Sequence, residues 1–239
     1  PFSYYSVLVA VTGQKMALAR APGGIGDVWA EEVRWSTADL LAGTGGLNLA
    51  VIGTGAGTSE SAALGFEGLF LGTTGTLYGK ALSTYATLRS HTKSQTTRVD
   101  LNELRFMIER VQTGTGSGSS EVISNANPSN LVFLCHPLQE RFIKGLIQDM
   151  QRTIPTSGII GYEGRVEIDN VPIVTDRQMN TDDIFLIDTS VTKIAINLPP
   201  TVMPLPVTAD AQAALIKIYW NLYSAQPGNN FWSSGFSTT

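Results

Sequence analysis

Two histidines, one cysteine and a scatter of late aspartates are the side chains of this 239-residue chain best suited to chemistry. His91 and His136 lie far apart in sequence. Neither has a spaced carboxylate or cysteine partner, and neither belongs to a pair at the helical spacing a metal site uses. His91 stands in the polar stretch LRSHTKSQTTR and reads as solvated. His136, just ahead of Pro137, reads as the cap of a helix, and Cys135 reads as a small hydrophobe at the end of an apolar run. Asp176, Asp182, Asp183 and Asp188 raise the question of a cation site. The spacing of a calcium loop and its terminal glutamate are missing, so a solvated turn is the favoured reading. No Gly-x-Ser-x-Gly elbow occurs. The expectation is a protein without catalytic, cofactor-binding or metal-binding residues, and not an enzyme.

Glycine-rich loops are the other chemically suggestive feature. Between Gly43 and Gly79 there are eleven glycines and only two charges, Glu60 and Glu67. Within it, LNLAVIGTGAGTSESAAL imitates a dinucleotide-binding turn, with an apolar strand, then Gly53 to Gly57, then a helix-compatible segment. Three departures weaken it. Thr58 stands at the third glycine position, no acidic residue ends a second strand about 20 positions on, and further glycines break the pattern. A turn between two elements is the alternative. The run Thr113 to Ser120 has neither a lysine after it nor a strand before it, and reads as a flexible surface loop.

Composition narrows the classes. The chain is 43% hydrophobic and only 15% charged, against about 25% for an average soluble domain. Such a chain either shields much of its surface against other chains or carries Ser/Thr/Gly-rich faces. The net charge of −4 argues against tight nucleic-acid binding, which needs clustered Lys and Arg. One cysteine excludes an internal disulfide. No apolar run reaches the roughly 18 residues of a membrane span. The opening at Pro1, without methionine or a basic start, is read as a processed or truncated terminus.

The elements centre on Asn130 to Asn197. Leu131–Cys135 is an apolar strand, expected to be buried on both faces. Pro137 suits a first helical position, and Leu138, Phe142, Leu146 and Met150 then recur at spacing four, flanked by Ile143 and Ile147, as one stripe of a helix. Arg165–Ile168 and Val171–Val174, joined by Asp169-Asn170, form a hairpin. Ile184–Ile187 and Val191–Asn197 follow as a strand pair. Earlier, Tyr4 to Met16 reads as a strand that turns back through Gln14-Lys15. Asp27 caps a helix to Leu41, with Gly43 as its stop. Asp100 and Glu103 have capping-box spacing before a second helix carrying Leu101, Leu104, Met107, Ile108 and Val111. Leu198 to Pro206, with four prolines, reads as an extended connector. Asp210 to Ala214 reads as a helical turn. Leu215 to Tyr223 alternates as a long half-buried strand, and Gln226 to Asn230 turns it into a tail for which no order is expected beyond Phe231. The class is α+β.

The segments NPSNLVFLCHPLQERFIKGLI, VPIVTDRQMNTDDIFLIDTSVTKIAI and LIKIYWNLYSAQPGNNF, together with GFEGLF, resemble the major capsid proteins of tailed bacteriophages, whose fold is named after the Hong Kong-97 phage. The resemblance runs from about Glu31 to Phe231. It implies an extended loop with strands over 1–26 and the family's N-terminal arm apparently absent. It further implies a peripheral domain with spine helix and long sheet over 27–114 and 207–231, and an axial domain over 115–206. The implied function is self-assembly, as hexamers and pentamers, into an icosahedral virion head assembled in the host cytoplasm. That head would enclose DNA without sequence-specific binding, with portal and decoration proteins as further partners and no membrane. An encapsulin-like nanocompartment shell is the alternative within this fold. A nucleotide-binding enzyme using Gly53–Gly57 is the alternative from another class. The Gly-rich segment 43–79 and the link 198–206 are expected to gain order mainly from neighbouring subunits.

Overall fold

The computed structural model describes residues 3–20, 27–42, 46–53, 56–59, 62–115, 120–151, 166–206 and 210–238. In chain order the elements are β1 (Ser3–Thr12), α1 (Gly13–Arg20), α2 (Val28–Ala42), α3 (Leu47–Ile52), β2 (Ala56–Ser59), β3 (Ala62–Leu64), α4 (Phe66–Leu69), β4 (Thr76–Leu77), β5 (Lys80–Ala81), β6 (His91–Ser94), α5 (Leu101–Thr113), β7 (Leu131–Cys135), α6 (Pro137–Gln151), β8 (Glu167–Ile168), β9 (Val171–Thr175), β10 (Ile184–Asp188), β11 (Thr192–Pro204), β12 (Ala211–Ser224) and β13 (Phe231–Ser234). Helices and mixed sheets coexist, and the class is α+β as expected. The chain divides into two compact units, residues 1–68 with 194–222 and residues 69–193 with 223–239. These differ from the expected boundaries. Residues 69–114, expected beside the spine helix, pack with 115–193 because α5 contributes its whole apolar stripe to that core.

The first unit is built on a three-stranded sheet in the order β1-β12-β11. β12 alternates as its sequence requires. Ile216, Ile218, Trp220 and Leu222 are buried, and Lys217, Tyr219 and Asn221 are half-exposed. β1 pairs with it antiparallel from Ser3↔Trp220 to Thr12↔Ala211. That pairing takes Ala211 to Ala214 into the strand, where a helical turn was expected, since the ladder outweighs the helical preference of alanine. β11 also corrects an expectation. Leu198 to Pro204 is strand rather than connector, and its prolines are tolerated because β11 is an edge that need not donate outward. Nor do β10 and β11 form a strand pair, since they belong to different sheets. The chain after Thr12 does not turn back as a strand. Gly13 to Arg20 is α1, whose QKMALAR is made of good helix formers, and Thr12 Oγ1 accepts the Lys15 amide at 3.4 Å. α2 starts where predicted, with Asp27 Oδ1 accepting the amides of Trp29 at 3.1 Å and Ala30 at 3.3 Å. The expected stop at Gly43 lies outside the described residues.

The second unit holds a six-stranded sheet in the order β6-β13-β10-β7-β9-β8. β10 is central and buried along its length. Ile184 and Leu186 join the main core, while Phe185 faces the other way against Phe70 and Trp232, with ring centroids 5.9 Å and 6.1 Å away. The segment expected to lack order after Phe231 is β13, paired antiparallel with β10 and parallel with β6. Phe231 and Phe236 are buried, which outweighs the low charge and high Ser/Thr content of the tail. The β8–β9 hairpin turns at Asp169 and Asn170, both at positive φ (50° and 67°), as a two-residue loop between twisted strands requires. Arg165 lies outside the described residues.

α5 buries the five predicted residues, but the capping box is not made. The Asp100 side chain caps no amide and instead accepts from Asn102, and Glu103 pairs with Lys93. Segment 43–79 also holds more of its own order than expected, since Val51, Ile52, Leu69, Phe70 and Leu77 are all buried. On α6 the buried line runs through Gln139 and Ile143, with Phe142 and Leu146 only partly buried against the core. The side chains of Ile147 and Met150 lie outside the described set. Gln139 is tolerated inside because its amide donates to Thr181 O at 2.6 Å. Ile143→Ala is therefore expected to cost about 2–5 kcal/mol and Leu146→Ala clearly less. Urea denaturation midpoints of the two variants check the order, and a larger loss for Leu146→Ala would show that the stripe is misplaced.

Candidate assembly surface

Both histidines and the cysteine acquire a structural explanation, and Asp176 Oδ1 accepts the Gln178 amide at 2.8 Å in its turn. His136 Nδ1 accepts the Leu138 amide at 3.1 Å and so caps α6, as its position before Pro137 predicted. Cys135 is buried, and its thiol is pushed up to about 12, first by burial and then by the Glu140 charge. A thiol held protonated at neutral pH is a poor nucleophile. His91 contradicts its expected solvated loop. It opens β6 at 5% exposure and stacks on Phe231 with centroids 5.7 Å apart. Its ring nitrogens meet Ser124 Oγ at 3.2 Å and Thr115 Oγ1 at 3.4 Å. Burial, helped by the charge of Arg110, pulls its pKa from 6.5 down to about 4.

This makes His91 a pH-dependent element of stability. In the folded chain it stays neutral down to about pH 4, while in the unfolded chain it takes a proton near 6.5. Its stabilising contribution is complete above pH 6.5 and declines as pH falls toward 4, by up to about 3 kcal/mol. The melting temperature of His91→Gln should therefore depend less steeply on pH between 4 and 6.5 than that of the native protein. Equal slopes would rule this out.

The aspartates do not converge. Among the described residues no group of three or more His, Cys, Asp or Glu is placed to hold a metal. Asp183 is buried, which raises its pKa, and accepts from Asn180 at 2.9 Å. Asp188 ties a buried knot that sequence reasoning missed. Its Oδ1 accepts the Ser190 hydroxyl at 2.6 Å and its Oδ2 accepts the Asn229 amide at 2.9 Å. Asn230 Oδ1 accepts the Asp188 amide at 2.9 Å and the Thr192 hydroxyl at 3.0 Å, and its Nδ2 donates to Pro227 O at 3.1 Å. Arg89 is likewise buried and donates to the carbonyls of Leu82, Ser83 and Glu121. These groups hold loops in place.

The dinucleotide imitation is inverted. LNLAVI is a helix, α3, that ends at Gly53, and the strand β2 follows the glycines and pairs back on β3. A phosphate-binding turn needs a strand before the glycines and a helix N-terminus after them. Thr54 and Gly55 lie outside the described residues, as do Gly116 to Ser119 of the second glycine run.

The surface does present large apolar side chains. Among the described residues, ten of the fifteen exposed large hydrophobic side chains belong to the first unit, the smaller of the two. Trp35 on α2 is 71% exposed, Leu18 on α1 74% and Leu8 on β1 61%. On the β1–β12 ladder, one face carries Val9, Val11, Ile216 and Ile218 into the core. The opposite face pairs Leu8 with Leu215 and Ala10 with Ala213, beside the Tyr4–Tyr219 ring contact at 5.3 Å. Edge strand β11 adds exposed Ile194, Ile196, Val202 and Met203. These exposed apolar side chains are the candidates for contact with other chains.

Known structures place this architecture. The chain superimposes over 99% of its length, with a TM-score of 0.69 and 14% identity, on a chain of the cyanophage A-1(L) capsid asymmetric unit, covering 78% of that chain. It matches the holo encapsulin complex from Synechococcus elongatus PCC 7942 at TM-score 0.63 and 14% identity, over 100% of this chain and 75% of that one. The capsid of a native GTA particle gives TM-score 0.60 and 10% identity, over 99% and 73%. No protein-family model matches the sequence, and no curated protein matches it significantly. Over essentially its whole length the chain has the Hong Kong-97-type capsid fold.

Proposed function

We propose that this chain, built on the Hong Kong-97-type capsid fold, is a shell-forming structural protein, the major capsid protein of a tailed phage, and not an enzyme. The observation that carries the reading is the full-length likeness to shell subunits at TM-scores up to 0.69. The exposed apolar side chains of the first unit support it independently. In this reading that unit, with α2 as spine helix and the β1-β12-β11 sheet, is the peripheral domain, and the six-stranded unit is the axial one. Subunits gather as hexamers and pentamers in a virion head formed in the host cytoplasm, with portal and decoration proteins as partners and DNA inside, held without sequence-specific contacts. The low charge content fits, because charges are depleted at interface cores.

Sedimentation and electron microscopy of the purified protein test the reading. Closed shells are the expected result, and a stable monomer at high concentration would overturn it. The likeness to an encapsulin shell favours a second reading of the same class, a nanocompartment. Packaged nucleic acid in the native particles supports the virion, and a packaged protein cargo supports the nanocompartment.

A further inference from the structure

We propose that the pocket between β6 and α5 binds a phosphate-class oxyanion, with Arg110 as its principal cationic ligand. The pocket lies wholly within the six-stranded unit, has a volume of about 400 Å³, and is lined by Lys93, Arg110, Thr92, Thr115, Gly72 and Phe106 among others. Among the described residues no carboxylate lines it. Two cations converge on the Phe106 ring, Lys93 Nζ at 4.6 Å and Arg110 Cζ at 4.7 Å from its centroid. They are not equivalent. Lys93 is ion-paired with Glu103, whereas Arg110 makes no ion pair and no side-chain hydrogen bond among the described residues. A guanidinium held over a ring face keeps its in-plane N–H fork for a ligand, and that fork matches the oxygens of a phosphoryl group.

The surroundings suit an anion. His91 beside Arg110 is held neutral, so it adds no repulsion to a cationic cluster and presents hydroxyl-bonded ring nitrogens instead. Gly72 lines the pocket in close packing with Thr92, since a Cβ there would stand 2.8 Å from Thr92 Oγ1. The chain as a whole carries −4, which makes a local cation cluster without lining acids a specific feature rather than a general basic surface. Shell assembly is read separately by microscopy, so loss of the site and loss of the shell are distinguishable.

Titration calorimetry of the purified protein with sodium phosphate, at ionic strength fixed by sodium chloride, tests the site. Saturable binding is expected, weakened at least about tenfold in Arg110→Gln and unchanged in Lys144→Gln, which is not among the lining residues. Absence of saturable binding in the native protein, or equal affinity in folded Arg110→Gln, overturns the proposal. If Arg110→Gln fails to fold, Arg110→Lys decides. It keeps the charge and loses the fork, so a several-fold weaker affinity supports the site and an unchanged one overturns it. A short oligothymidylate separates the sources. Binding that phosphate displaces identifies a nucleic-acid backbone as the ligand, and phosphate binding without oligonucleotide binding identifies the free anion.

Discussion

Replacing Leu8 and Trp35 together by lysine is expected to abolish shells and leave a folded, slowly sedimenting subunit. Both side chains are already largely exposed within one chain, at 61% and 71%, so the substitutions change subunit stability by only about 0.5 kcal/mol. In an assembled shell the balance is different. A tryptophan at the centre of an interface is typically worth about 2 kcal/mol or more, with tenfold in affinity for each 1.4 kcal/mol or so. A lysine in its place also buries an unpaired charge. Every subunit carries the change, so the penalty recurs at each copy of the contact. Sedimentation velocity reads assembly, and far-UV circular dichroism with a thermal melt reads the fold. Shells of normal yield from the variant would place both residues on free surface and remove the first unit's apolar faces from the case for assembly.

The sequence was legible where periodicity and burial agree. β12 shows strict alternation over Ile216, Ile218, Trp220 and Leu222, and all four are buried. α5 and the Asp169-Asn170 hairpin were equally readable, because a helical stripe and a two-residue turn are local signals. What was missed depends on partners distant in sequence. LRSHTKSQTTR is polar by composition, yet His91 to Ser94 completes a sheet because β13, some 140 residues later, lies parallel to it. The prolines of Leu198–Pro204 indicate extension but cannot say whether a neighbouring strand pairs on one side. GTGAGT carries two of the three glycines of a nucleotide turn, and the observed order of helix, glycine, strand adds to the departures the sequence already shows. The knot around Asp188 and Asn230 left no sequence signal beyond a turn, since its members are brought together from separate segments of the chain.

The second large effect is expected from one methyl group at that knot. Gly228 sits in the tight turn Pro227–Asn229, buried, where an added Cβ would stand 2.1 Å from Ile123 O and 3.3 Å from Arg89 O. Both obstacles are backbone atoms, so no side chain can rotate aside and the turn itself must move. Moving it pulls Asn229 from Asp188 and Asn125, and Asn230 from Thr192 and the Asp188 amide. Overpacking costs about 1–3 kcal/mol, and each buried polar group left without a partner adds about 1–3 more. Gly228→Ala is therefore expected to lose about 4 kcal/mol or more. Gly145→Ala provides the opposite control. Gly145 lies within α6 with open space where a methyl group would stand, so alanine there should stabilise by roughly 0.5–1 kcal/mol through helix propensity. Urea melts of both variants in the Leu8/Trp35 double-lysine background keep assembly out of the measurement. Similar midpoints for the two would show that the turn at Gly228 yields readily, and the close approach to Ile123 would then carry no structural weight.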